Sequence, residues 1–239
     1  MPSPSWTAIH AQPVPELRTI FDSDPDRLAK HVLSVGPIRF DWSKTHLTDD
    51  LLAAFQDLAI ESDFAGKRDA LFAGAHVNNT EDRAAEHPAE RGEGNPESVA
   101  AAKMLHNRMR ALIDAIEAEA LGPVRHIIHV GIGGSALGPN LIVDALGLDE
   151  KRYDVAIVSN VDGTALEAAL DRFDPHATIL AVASKTFTTT ETMLNAASTI
   201  NWMVEAGVDD PYGKVIALTA APDKALEWGV DETRVLPFN

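Results

Sequence analysis

A regular alternation of short apolar runs and helical stretches, beginning near residue 124, constrains the fold of this sequence most strongly. Five runs rich in aliphatic residues are typical of strands: 127–130, 154–158, 178–183, 214–219 and 234–238. Helical patterns lie between them, at about 137–147, 163–172, 189–206 and 222–228. Apolar strands that alternate with helices form a parallel sheet with helices on both faces. The pattern therefore predicts an α/β fold with a three-layer parallel sheet over residues 97–239.

Residues 1–96 are predicted to form a separate, mainly helical region in front of the sheet. Ser23 and Asp24 before Pro25 predict a helix over about 25–32, because proline is tolerated in a first helical turn. Thr48 is a candidate N-cap for a second helix over about 49–60. Alternating residues at 38–42 predict a short edge strand between the two helices.

Two further segments connect this region to the sheet. Residues 76–96 contain almost no large apolar side chain, so they are either a solvated loop or a loop that covers substrate. A long helix is predicted over about 96–120. Four residues spaced four, three and four apart predict one buried stripe on this helix: Leu105, Met109, Leu112 and Ile116.

Composition excludes several classes of function. The 239 residues include no cysteine, which rules out disulfides, thiolate nucleophiles and cysteine metal sites. Lys and Arg number 20 against 36 Asp and Glu, and a net charge of −16 opposes binding to nucleic acid or to anionic membranes. The sequence shows no secretion signal and no apolar run that spans a bilayer. We therefore expect a cytoplasmic protein with neither nucleic acid nor membrane as a partner.

A glycine-rich segment, Gly131 to Pro139, follows the first predicted strand of the sheet. Glycines allow a tight turn and a close approach of the backbone to a ligand, and Ser135 adds a hydroxyl group. The pattern G-x-G-x-x-A is a weak match to a dinucleotide site, and Asp162 comes too late for the usual ribose contact. The Gly-Lys-Ser/Thr of a nucleotide-binding P-loop is missing. A purely structural turn therefore remains an alternative.

A hydroxyl-rich segment, Ser184 to Thr192, follows the third predicted strand, and six of its nine residues carry hydroxyl groups. One hydroxyl is enough to cap a helix, so six exceed what capping requires. Hydroxyl and backbone N–H groups at a helix N-terminus can donate to several oxygens of one phosphate, and the helix dipole favours the anion. The segment therefore favours a phosphate monoester as the ligand.

Four motifs in this order resemble the glucose-6-phosphate isomerase family, over roughly residues 35–239. They are Asn79-Thr80-Glu81-Asp82-Arg83-Ala84 with His87 and Arg91, GIGGSALGP from Gly131, Ser159-Asn160-Val161-Asp162-Gly163-Thr164, and SKTFTTTETMLNA from Ser184. The resemblance implies a sheet of the sugar-isomerase (SIS) type that binds the 6-phosphate of glucose or fructose. By motif position it assigns these substrate-binding residues: Gly134, Ser135, Ser184, Lys185, Thr186, Thr189 and Thr192.

The resemblance also implies the reaction, an aldose–ketose isomerisation through an enediol in glycolysis and gluconeogenesis, without a cofactor or a metal. Such a reaction needs a base, a ring-opening acid–base group and a nearby cation. In the family these are a Glu, a His or Lys, and an Arg in a Gly-Gly-Arg motif. None matches a motif within residues 1–239, so we expect the catalytic residues beyond Asn239, an inactive isolated chain and a homodimer when full length.

Two other functions remain open at this point. One is a sugar-phosphate-binding SIS module that performs no chemistry, and the other is a different sugar-phosphate isomerase or an aminotransferase on the same fold. A nicotinamide enzyme is the weakest alternative.

Overall fold

A computed structural model describes residues 3–147 and 151–238 of the chain. The chain folds into two compact units, Met1–Pro88 and Ala89–Asn239. The sequence predicts the boundary at residue 96, at the start of a long helix, whereas the second unit begins within a short 3-10 turn. In the described ranges no helix combines the length and the apolar character that crossing a membrane requires.

The first unit contains five helices and one β-hairpin among its described residues. The helices are α1 (Pro4–His10), α2 (Leu17–Ser23), α3 (Arg27–Lys30), α4 (Asp49–Glu61) and α5 (Phe64–Phe72). The hairpin pairs β1 (Val32–Val35) with β2 (Ile38–Asp41) in antiparallel register. The predicted N-cap is confirmed, because the Thr48 hydroxyl accepts a hydrogen bond from the Leu51 amide. The predicted edge strand is confirmed as β2.

The helix predicted over 25–32 is wrong at its C-terminal end. It forms one turn that ends at Lys30, and Val32 already belongs to β1. Val32, Leu33 and Val35 favour extended backbone, and Gly36 then makes the hairpin turn. Tertiary pairing with β2 therefore outweighs the helix start signal at Pro25.

A buried arginine links the helices of the first unit to the loop after the hairpin. Arg27 is 2% exposed, and its guanidinium donates to the carbonyl oxygens of Ser43 at 2.6 Å, Thr45 at 2.6 Å and Leu47 at 2.9 Å. A buried guanidinium must be hydrogen-bonded, because leaving it unpaired away from water is very costly. Arg27 thus holds a polar loop in place within a unit that buries few large side chains.

The second unit contains a five-stranded parallel sheet in the order β4-β3-β5-β6-β7, which confirms the predicted fold class. The strands are β3 (His126–Val130), β4 (Asp154–Val158), β5 (Thr178–Ala183), β6 (Val215–Thr219) and β7 (Val235–Pro237). The helices are α6 (Pro96–Glu117), α7 (Gly134–Leu146), α8 (Thr164–Leu170), α9 (Thr190–Glu205) and α10 (Pro222–Glu227). A 3-10 turn, His87–Arg91, overlaps the start of this unit.

The core of this unit lies between the central strands and α9. Ile128, Leu180, Val182 and Met203 are completely buried, and they pack with other aliphatic side chains of the sheet and helices. Burial of this much apolar surface is the main stabilising contribution to such a sheet. It fixes the strand ends from which the candidate site is built.

The stripe predicted on the long helix is buried less than expected. All four of its residues are only partly buried in α6, and Ala102 is the buried residue among those described in this helix. A shallow groove of about 430 Å³ runs along α6, lined in part by Leu112, Ala115, Leu121 and Arg234. The groove lies at the amino ends of the strands, away from the loops described next.

Candidate functional site

Sheet topology brings the two predicted loops together. β3 is the first strand of the parallel sheet in sequence but lies between β4 and β5, so the crossovers that follow β3 and β5 leave in opposite directions. Val130 pairs with both Val158 and Val182, so the carboxyl ends of three strands are aligned at one edge. Ligands of open parallel sheets bind at such a switch point. The glycine-rich segment after β3 and the hydroxyl-rich segment after β5 therefore lie at the same edge of the sheet.

The glycine loop, Gly131–Ser135, lies tightly against the end of β5. A Cβ atom on Gly131 would lie 2.8 Å from the Ser135 carbonyl oxygen and 3.2 Å from that of Ala183. Gly133 has a φ of +57° and is the N-cap of α7, so the helix begins at Gly134 rather than near residue 137 as predicted. Gly134 and Ser135 therefore occupy the first turn of a helix that points at this edge of the sheet.

The hydroxyl loop, Ser184–Thr189, joins β5 to α9, as the sequence predicts. The Ser184 and Thr189 hydroxyls are 3.2 Å apart, and those of Thr186 and Thr188 are 2.8 Å apart. Thr189 is the N-cap of α9, but its side chain makes no capping bond, so its hydroxyl is not committed to the helix. The loop is also tied to β6, because the Lys185 carbonyl accepts from Thr219 Oγ1 at 3.2 Å.

Phe187 anchors the middle of the hydroxyl loop, a role that no pattern in the sequence indicates. Its backbone adopts a φ of +53°, which is costly for a residue with a Cβ, while its ring is 4% exposed. The ring lies edge-to-face on Trp228, with centroids 5.9 Å apart, and Trp228 meets Tyr212 in the same way. Burial of the ring compensates for the strained backbone.

The predicted site residues differ in exposure. Ser184 and Thr192 are buried, Ser135 and Thr189 are partly buried, and Gly134, Lys185 and Thr186 are exposed. Thr192 lies in the first turn of α9, and its Oγ1 has no hydrogen-bond partner among the described residues. A buried hydroxyl without a partner is uncommon and indicates a position where a ligand or water is expected.

The third motif also reaches this edge. Residues 159–163 follow β4, and the buried Asn195 of α9 donates through Nδ2 to the Asn160 carbonyl oxygen at 2.9 Å. Asn195 belongs to the SKTFTTTETMLNA motif, but this bond to the loop after β4 depends on tertiary structure. The loop after β4 is thus tied to α9, the helix that follows the hydroxyl-rich segment.

His129, the fourth residue of β3, lies beneath the glycine loop. Its Nε2 donates to the Ser135 carbonyl oxygen at 2.7 Å, since a carbonyl can only accept. Burial lowers the pKa of His129, and this effect outweighs the hydrogen bond to Ser135, which favours the charged form. The imidazole is therefore held neutral, with its proton on Nε2.

We expect the lowered pKa of His129 to make folding stability sensitive to acid. Below the ordinary histidine pKa of 6.5 the unfolded chain binds a proton that folded His129 does not. This stability is complete above pH 6.5 and is lost as the pH falls toward the folded-state value. Between about pH 7.5 and about pH 5.5, the urea midpoint of unfolding should decrease more for the wild type than for His129→Gln. An equal fall in both proteins would contradict the expectation, and the exposed His46→Gln serves as the control.

Comparisons with known proteins identify the family. A family model described as phosphoglucose isomerase matches residues 41–239. The glucose-6-phosphate isomerase of Rhizorhabdus wittichii is 64% identical over 235 residues, which make up 98% of this chain and 47% of that protein. The glucose-6-phosphate isomerase of Novosphingobium aromaticivorans is 60% identical over 238 residues, 98% of this chain and 47% of that protein.

A solved structure agrees on the fold. The crystal structure of a glucose-6-phosphate isomerase from Chlamydia trachomatis matches with a TM-score of 0.81 and 23% identity, over 99% of this chain and 48% of that one. The fold and its paired loops thus define a parallel α/β protein with a candidate anion site at the switch point of its sheet. The chain belongs to the phosphoglucose isomerase family. It spans about half the length of the curated relatives it matches.

Proposed function

We propose that this chain binds the 6-phosphate of glucose 6-phosphate and fructose 6-phosphate, as part of an isomerase that interconverts them in glycolysis and gluconeogenesis. The observation that carries the proposal is the hydroxyl loop, Ser184–Thr189, between β5 and the N-terminus of α9. The buried Thr192 hydroxyl, which has no hydrogen-bond partner in the part of the chain that the structure describes, supports it independently. The names of the relatives supply the substrate.

Local donors must attract the phosphate, because the chain as a whole carries a charge of −16. Three kinds of group can donate hydrogen bonds to a phosphate here: the exposed hydroxyl of Thr186, the ammonium of Lys185 and the first amides of α9. Backbone N–H groups at a helix N-terminus point along its axis, and the dipole adds partial positive charge there. These interactions act at short range, whereas salt screens the more distant negative charges of the protein surface.

The glycine loop is proposed to contact the sugar. Gly134 and Ser135 begin α7 at the same edge of the sheet, beside the end of β5. Glycine lets a ligand approach the backbone closely, so that backbone N–H and C=O groups can bond the sugar hydroxyls. Moving a proton between C1 and C2 through an enediol requires only acid–base groups, so no cofactor or metal enters the proposal. A homodimer of the full-length protein remains part of it.

Equilibrium binding to the 239-residue chain tests the proposal. We expect Thr186→Ala and Ser184→Ala each to weaken glucose 6-phosphate binding about five- to tenfold, the effect of one hydrogen bond of about 1–1.4 kcal/mol. Ser198→Ala, an exposed hydroxyl farther along α9, is the matched control and should bind like the wild type.

The ligand series separates the alternatives. Glucose should bind far more weakly than glucose 6-phosphate, since it lacks the phosphate that the hydroxyl loop holds. Equal binding of the two sugars would refute the phosphate site. Tighter binding of glucosamine 6-phosphate would favour the aminotransferase alternative, and binding of NAD without sugar phosphate would favour an oxidoreductase.

A further inference from the structure

A proline interrupts the hydrogen bonds of α7 one turn after the glycine loop. In an α-helix the N–H of each residue donates to the carbonyl four positions earlier. Pro139 lies inside α7 and has no N–H, so the Ser135 carbonyl loses its regular helical donor. This carbonyl belongs to a residue that we propose contacts the sugar.

His129 supplies a donor at this position. Its Nε2 lies 2.7 Å from the Ser135 carbonyl oxygen, and the side chain extends from a central strand whose backbone pairs with both β4 and β5. His129 is 8% exposed, so the bond has little competition from water. The donor is therefore held by a central strand of the sheet rather than by the helix itself.

Gly131 makes the close approach possible. The Ser135 carbonyl oxygen lies only 2.8 Å from where a Gly131 Cβ would stand. A side chain at this position would push the first turn of α7 away from β3 and from His129. Three features thus act together: a glycine that leaves room, a proline that removes the helical donor, and a histidine that replaces it.

We infer that His129 is a positioning residue, which donates to the Ser135 carbonyl in place of the N–H missing from Pro139 and so fixes the first turn of α7 for sugar-phosphate binding. The inference rests on the proposed function. His129 touches no substrate in this assignment and acts through Gly134 and Ser135.

A rescue experiment on the 239-residue chain tests the inference, with glucose 6-phosphate affinity and thermal unfolding as the readouts. We expect His129→Leu to weaken binding about tenfold, because the partly buried Ser135 carbonyl loses its donor. Adding Pro139→Ala to His129→Leu restores an N–H at position 139 and should return the affinity to within about threefold of the wild type. His129→Gln, whose amide can also donate, should likewise stay within about threefold.

Each outcome decides a different point. A double variant that binds and unfolds like His129→Leu alone would overturn the inference, since restoring the helical donor would then have no effect. Unchanged affinity in His129→Leu, with normal binding by the wild type, would overturn it as well. Failure of the wild type to bind glucose 6-phosphate would refute the proposed function and the inference with it. Weaker binding by Thr186→Ala, beside normal binding by the wild type, is the result that the proposed function expects.

Discussion

In a coupled assay, the 239-residue chain alone should interconvert glucose 6-phosphate and fructose 6-phosphate roughly 10⁴-fold or more slowly than a full-length relative. Positioned acid–base groups contribute about 10²–10⁴-fold each, and both the base and the ring-opening group implied by the family resemblance match no motif in residues 1–239. Sugar-phosphate binding should survive, because its proposed donors lie in loops of this chain. The full-length protein from Rhizorhabdus wittichii provides the positive control.

Two measurements would contradict this expectation. Turnover by the chain alone within about tenfold of the full-length relative would mean that catalytic residues lie within the chain and were misassigned. Addition of a metal chelator to the full-length relative should leave its rate unchanged, because the proposed route uses proton transfers only. A rate that falls with chelation and recovers with a divalent cation would contradict the metal-free mechanism.

Substitution of Gly131 by alanine should abolish most sugar-phosphate binding and lower stability by about 1–3 kcal/mol. The added Cβ would lie 2.8 Å from the Ser135 carbonyl oxygen and 3.2 Å from that of Ala183. Both neighbours are backbone atoms, so neither can move without shifting α7 or the end of β5. We expect affinity for glucose 6-phosphate to fall by about 30- to 100-fold, measured by titration calorimetry beside urea unfolding.

Gly138→Ala provides the matched control, since it lies in the same segment. Gly138 occupies the interior of α7, and apart from its chain neighbours and the adjacent helix backbone no heavy atom of the described residues lies within 4 Å of a Cβ at this position. Alanine there should keep the affinity and raise stability by up to about 1 kcal/mol, the helix propensity difference between the two residues. Equal behaviour of the two variants would show that the glycine loop does not need the close approach of Ser135.

The sequence was sufficient to predict the sheet and the position of the candidate site. Aliphatic runs at Asp154–Val158 and Thr178–Ala183 coincide with β4 and β5. They could be recognised because strands of a covered parallel sheet form nearly continuous apolar runs in the sequence. The hydroxyl loop was predictable for a related reason, since a polar cluster between a buried strand and a helix must lie at the carboxyl edge. Which of its residues bind substrate stays a prediction.

Features that depend on contacts distant in sequence could not be predicted. The anchoring role of Phe187 becomes visible only from its contact with Trp228 and its backbone φ. The hydrogen bond between His129 and Ser135 depends on the path of α7, which the sequence does not indicate. The hairpin strand β1 was missed because a helix start signal precedes it by only a few residues. Partial burial of the α6 stripe was missed because periodicity identifies an apolar face but not what covers it.

The parallel pairing of β3 with β5 also determines when the candidate site comes into existence during folding. Val130 and Val182 are neighbours in the sheet, although a helix, an edge strand and a second helix separate them along the chain. Such non-local pairing closes a long loop and forms slowly relative to helices and hairpins. The glycine loop and the hydroxyl loop therefore meet only in molecules whose central sheet is complete. The sugar phosphate that we propose as the ligand would bridge them and stabilise those molecules alone, and so would favour the finished fold over every partly folded one.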